Sequence, residues 1–117
     1  MEYTATYTLA SGRVAEDRAL LRAVYRELGT VQPSWLACQS FVNDDGRQML
    51  FQMATERPDL LIDVDRLAAY WAAIDDRCSS AVTVVERAWD SISTARLTRL
   101  GLWNPLHHRE PGRRSPR

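Results

Sequence analysis

Residues 2 to 9 alternate, with Tyr3, Ala5, Tyr7 and Leu9 on one side and Thr4, Thr6 and Thr8 on the other. This period of two predicts a strand with one covered face. Ser11 and Gly12 interrupt it, and Val14, Leu20, Leu21, Val24 and Leu28 then recur at helical spacing, which predicts a helix over about 14 to 28 with Gly29 as its stop. After Pro33, two strand-forming runs between Trp35 and Ala54 flank Asn43-Asp44-Asp45-Gly46, residues that tolerate the backbone angles of a tight reversal. A four-residue loop pairs Val42 with Arg47, Ser40 with Met49, Cys38 with Phe51 and Leu36 with Met53, all on one apolar face. Arg57-Pro58-Asp59 ends the hairpin. Leu60, Val64, Leu67, Trp71, Ile74 and Cys78 then repeat at spacings of four and three, the stripe of a second helix. Ala81 to Trp89 alternates again as a fourth strand, and Asp90 to Leu100 reads as a short helix.

The order βαββαβ is the ferredoxin-like α+β plan, in which a four-stranded antiparallel sheet carries two helices on one face. We expect one such domain over residues 1–95, followed over 96–117 by the short helix and a basic tail whose last eight to ten residues are disordered. By parity the second sheet face carries Thr4, Thr6, Thr8, Trp35, Gln39, Phe41, Gln48, Gln52, Arg87 and Trp89. A lone subunit would leave these rings in water. A homodimer through the open face, burying Trp35, Phe41 and Trp89, is therefore expected.

Charge adds little to this picture as a whole and more when it is mapped along the chain. Fifteen basic residues, all arginine, balance fifteen acids, but six arginines face one acid from Arg96 onward, against nine and fourteen before it. With no net charge and no aromatics on a basic surface, no nucleic-acid partner is expected. The two cysteines, Cys38 and Cys78, both fall on apolar faces and read as buried free thiols in a reducing compartment. No secretory signal opens the chain, and the longest apolar run, Leu67 to Ile74, is far too short for a membrane span, so a cytoplasmic protein without membrane partners is expected.

Phosphate loops, nucleophile elbows, His-Glu-x-x-His and Cys-x-x-Cys are all missing, and His107 and His108 stand together in the tail, so neither a metal nor a histidine base is expected in the fold. Asp63 and Asp65 read as helix-start acids, and Asp75 and Asp76 as a solvated pair. Arg18, Arg22 and Arg26 form a stripe on the first helix, interleaved with Glu16, Asp17 and Glu27 as a solvated face. Attention then falls on the layer between sheet and helices, where Tyr7, Cys38, Phe51, Met53, Trp71 and Tyr25 converge with Leu21 and Val24. These side chains either interlock as core or wall a flat pocket for an apolar or aromatic small molecule, oriented by the Tyr7 hydroxyl and the Trp71 indole N–H.

Through its βαββαβ order, Pro33-Ser34-Trp35 ahead of the second strand, and the Asn-Asp-Asp-Gly turn before an apolar third strand, the chain resembles the dimeric α+β barrel proteins over residues 2 to about 90. Within them it is most similar to the antibiotic-biosynthesis monooxygenase type. The resemblance implies a pocket between sheet and helices, with Tyr7 and Trp71 as catalytic residues; the side chains that converge there, Cys38, Phe51, Met53 and Tyr25, then read as ligand contacts. It also implies a cofactor-independent monooxygenase acting on an aromatic or polyketide-like substrate. Haem-degrading relatives ligate iron through a histidine on the second helix; none stands there, and no cofactor is expected. Ala54 and Ser34 depart from the aromatic and glycine common in the family. The alternative is a non-catalytic dimeric module that binds an apolar ligand or a partner protein.

Overall fold

A computed structural model of the chain describes residues 1–105. Five strands, β1 (Glu2–Thr8), β2 (Leu36–Val42), β3 (Gln48–Thr55), β4 (Thr83–Glu86) and β5 (Thr98–Trp103), form one antiparallel sheet in the order β4-β1-β3-β2-β5. The first four take the ferredoxin-like arrangement expected. The helices α1 (Val14–Val31) and α2 (Asp65–Ala72), with the short α3 (Ile74–Arg77), pack one face through a single core cluster. Among the described residues no helix is long and apolar enough to cross a membrane.

Side-chain parity follows the alternation in the sequence, since Ala5, Tyr7, Leu9, Leu36, Cys38, Val42, Met49 and Phe51 all join the core under the helices. The hairpin register differs from the expected one by two residues: Val42 pairs with Met49, Ser40 with Phe51, Cys38 with Met53 and Leu36 with Thr55. The turn explains it. Asp45 Oδ1 accepts from the Arg47 and Gln48 amides at 2.7 and 3.1 Å, which holds the Asp45 carboxyl below the usual carboxylate range, and Asn43 Nδ2 donates to Gln48 Oε1 at 2.7 Å. With Gly46 at φ 76°, these bonds draw Arg47 into the loop and make Asn43 and Gln48 its base. An even shift leaves every side chain on its original face.

Both helices depart from their expected bounds. α1 runs past Gly29 to Val31 and stops at Gln32, which adopts φ 54° and donates its amide to the Leu28 carbonyl just ahead of Pro33. The expected second helix is broken into three pieces: a 3-10 turn over Pro58–Asp63, then α2, then α3 beyond a kink at Ala73. Its buried stripe is Val64, Leu67, Tyr70, Ile74 and Arg77, so Tyr70 takes the inward place expected for Trp71, and Arg77 that of Cys78.

The short helix expected over Asp90–Leu100 is instead a 3-10 turn at Trp89–Ser91 followed by β5, which pairs with the free edge of β2. Because β4 and β5 lie at opposite edges, residues 87–97 cross the sheet on the face away from the helices. The Trp89 amide donates to Glu2 Oε1 at 2.8 Å, and Leu97 shares a shallow hollow with Thr6 and Leu50. The open face is thus partly covered within one chain: Thr4, Gln52 and Phe41 are buried and Trp89 is half-buried. Trp35, placed on that face by parity, packs half-buried against the core cluster, since it precedes β2 and escapes the strand's alternation. The expected disordered end and the histidine pair lie outside the described residues.

Candidate functional site

A cavity of about 630 Å3 lies between the sheet and the α2 segment. Its floor is Tyr3 and Ala5 of β1 with Phe51 and Met53 of β3; its roof is Leu67, Ala68, Trp71 and Ala72 of α2; its mouth is formed by Pro58, Leu61, Ile62 and Val84. Two local causes leave this volume unfilled. Pro58 sets a 3-10 turn where a continuous helix would have brought another row of side chains inward, and alanine stands at positions 5, 68 and 72, where larger residues would reach across. Ile62 and Val84 at the mouth are 73% and 60% exposed. Size and lining are those of a site for a small apolar molecule.

Behind the Trp71 wall runs a buried polar chain. Arg77 Nε donates to Asp17 Oδ1 at 2.9 Å, Tyr70 donates its hydroxyl to Asp17 Oδ2 at 3.1 Å, and the Tyr7 and Tyr70 oxygens are 2.6 Å apart. The single Tyr70 proton goes to the carboxylate, so Tyr7 must be the donor in the remaining bond. Arg77 also donates to the Ala73 and Tyr70 carbonyls at 3.1 and 3.2 Å, satisfying groups that the kink after α2 would leave bare, and its guanidinium lies 4.7 Å from the Tyr70 ring centroid. Asp17 and Arg77 are 0% and 1% exposed. Burial, chiefly, pushes the Tyr7 and Tyr70 hydroxyls far above the ordinary phenol range, so both stay protonated. This chain ties α1, α2, α3 and β1 together.

The expected site residues divide between two places. Phe51, Met53 and Trp71 line the cavity. Tyr7 lies behind it with its proton committed to Tyr70, and touches the cavity wall only through its ring, 5.7 Å from that of Trp71. Trp71 also stands edge-to-face against Phe51 at 5.0 Å and Tyr70 at 5.3 Å, and its indole nitrogen is buried without an acceptor. It serves as a wall. Cys38 of β2 and Tyr25 of α1 belong instead to the half of the layer that α1 fills. Burial raises the Cys38 thiol well above its usual range, while the Tyr25 hydroxyl shares a 2.6 Å hydrogen bond with Ser40 and its ring covers Gly101 of β5.

Sequence reading missed Tyr70, Asp17 and Arg77. A signal was present: Val14, Asp17, Leu21, Val24 and Leu28 keep strict helical spacing, and an acid inside such a stripe calls for a buried partner. Asp17 is no part of a solvated face. Of the arginine stripe, Arg18 donates to the Gly46 carbonyl at 2.8 Å and steadies the hairpin turn, whereas Arg22 and Arg26 are exposed. Among the described residues, no three His, Cys, Asp or Glu side chains gather as a metal site.

No family model matches the chain, and no curated protein does. Among solved structures it is similar to a protein of Caulobacter crescentus CB15 named "putative antibiotic biosynthesis monooxygenase", with a TM-score of 0.50 and 14% identity over 74% of this chain and 88% of that one. A likeness at that identity concerns the fold. In three dimensions, then, the chain has a ferredoxin-like α+β fold similar to that of the Caulobacter protein.

Proposed function

We propose that this protein is a small cofactor-independent monooxygenase whose substrate is a flat, electron-rich aromatic or polyketide-like molecule held in the cavity beneath α2. The observation that carries the reading is the cavity itself: about 630 Å3, walled by Phe51, Met53 and Trp71, lined by apolar side chains and open at the mouth formed by Ile62 and Val84. In such a reaction a substrate that binds neutral loses a CH2 proton to water at the open mouth of the cavity, the resulting carbanion passes an electron to O2, and the two radicals join as a peroxide at that carbon. Loss of water then turns a CH2 group into a carbonyl, with one oxygen atom kept and the other released with the two hydrogens. All four electrons come from the substrate, so no external reductant is required. The protein contributes position and an apolar surround.

One observation favours a second reading, binding without chemistry. Among the described residues no ionisable side chain except Tyr3 lines the cavity, and the proton of Tyr7 is engaged elsewhere. Oxygen uptake with a panel of anthrones and quinols separates the two: consumption that falls at least tenfold in Trp71→Ala supports the oxygenase, and a rate no different from buffer for every compound, with binding intact, leaves the binding module. We further propose that the working unit is a homodimer through the sheet face opposite the helices, where Thr6, Gln48 and Val85 remain exposed. A dimeric mass by light scattering at micromolar concentration supports it; a monomeric mass removes it.

A further inference from the structure

We infer that Tyr3 is the polar anchor of the cavity, and that the ligand is a neutral aromatic carrying a hydroxyl or carbonyl at the end that lies against β1 and β4. This rests on the cavity being a ligand site, as proposed above. Tyr3 brings the only side-chain hydroxyl among the lining residues, for the Trp71 nitrogen is buried away from the cavity and the Tyr7 hydroxyl is not part of the lining. Its one hydrogen bond is to the Met1 sulfur at 3.4 Å, at an exposed position. A thioether is a weak acceptor, and a ligand oxygen displaces it at little cost.

The neighbours of Tyr3 set the charge of what can bind. Cross-strand partners share a face, so Tyr3 stands between Met53 of β3 and Glu86 of β4 on the cavity side of the sheet. Glu86 follows two residues after Val84 of the mouth, and among the described residues no arginine lines the cavity. A carboxylate on the ligand would meet the like charge of Glu86 there. A phenol or ketone meets a donor beside an acceptor. Tyr3, absent from the site residues expected from the sequence, would thus choose among ligands that the apolar walls accept equally.

Calorimetric titration of three probes tests this: naphthalene, 2-naphthol and 2-naphthoate, with wild type, Tyr3→Phe and Glu86→Gln. One neutral hydrogen bond predicts that wild type prefers 2-naphthol over naphthalene by roughly 3- to 10-fold. In Tyr3→Phe that preference should fall to about one with naphthalene affinity unchanged, which also shows that the variant is folded. Glu86→Gln should narrow the gap between 2-naphthol and 2-naphthoate. A preference that survives in Tyr3→Phe overturns the anchor and leaves the cavity reading intact. Failure of wild type to bind naphthalene overturns both, and absence of oxygen uptake with 2-naphthol preference retained overturns only the oxygenase.

Discussion

The two halves of the helix layer rest on the same sheet and are packed in opposite ways. Under α1, eighteen continuous residues press Leu21, Val24 and Leu28 into the sheet, and Tyr25 lies so close over Gly101 that a Cβ there would enter its ring. Under α2 the helix is interrupted at both ends, alanines face inward and the sheet residues look into empty volume. The same fold therefore separates its duties. Close packing on one side supplies the rigidity that lets the other stay hollow, and the Tyr7, Tyr70, Asp17 and Arg77 chain is the seam between them.

The seam is where that contrast is most easily broken. Asp17→Ala would leave Arg77 buried and unpaired, and should destabilise the fold by about 3–5 kcal/mol in urea unfolding; a loss near zero would mean that the seam contributes little. Packing should give opposite signs on the two sides. Gly101→Ala is expected to cost about 1–3 kcal/mol, whereas Ala68→Leu, filling the hollow, should add roughly 0.5–1.5 kcal/mol. Equal effects of the two would erase the distinction between filled and empty halves.

Alkali should test the seam without mutation. The folded Tyr7 and Tyr70 hydroxyls titrate far above the unfolded value near 10, so between those limits the native state holds protons that the unfolded chain has lost. Stability is fully present below about pH 10 and falls above it, by about 1.4 kcal/mol per pH unit for each tyrosine. The double variant Tyr7→Phe with Tyr70→Phe should flatten that slope. The smallest effect concerns the link across the helix layer, where Glu27 of α1 accepts from the Arg66 amide at 2.7 Å in the first turn of α2. Glu27→Ala should cost about 1 kcal/mol and Glu27→Gln less, with faster amide exchange confined to α2.

The facing of side chains within the first three strands was the most legible feature of the sequence. Period-two runs placed Tyr7, Cys38 and Phe51 on the covered face, and an even register shift in the hairpin preserved that assignment. β5 was not legible, because Thr98 to Trp103 contains Gly101 and its pairing to β2 is a long-range event with no local signature. The cavity was half legible: Phe51, Met53 and Trp71 were placed in the layer that contains it, but a void depends on where the second helix breaks and on which alanines face in. Tyr70, Asp17 and Arg77 were hidden by a rule that is usually sound, that charged residues lie outside.

The proposed function stands or falls with the hollow beneath α2 as a site for a flat apolar molecule. Calorimetric titration of anthrone into wild type and Ala68→Leu tests it most directly. Micromolar binding by wild type and at least a tenfold weaker affinity in the more stable Ala68→Leu is the predicted result, and equal affinity in the two proteins, or no binding to either, would contradict it.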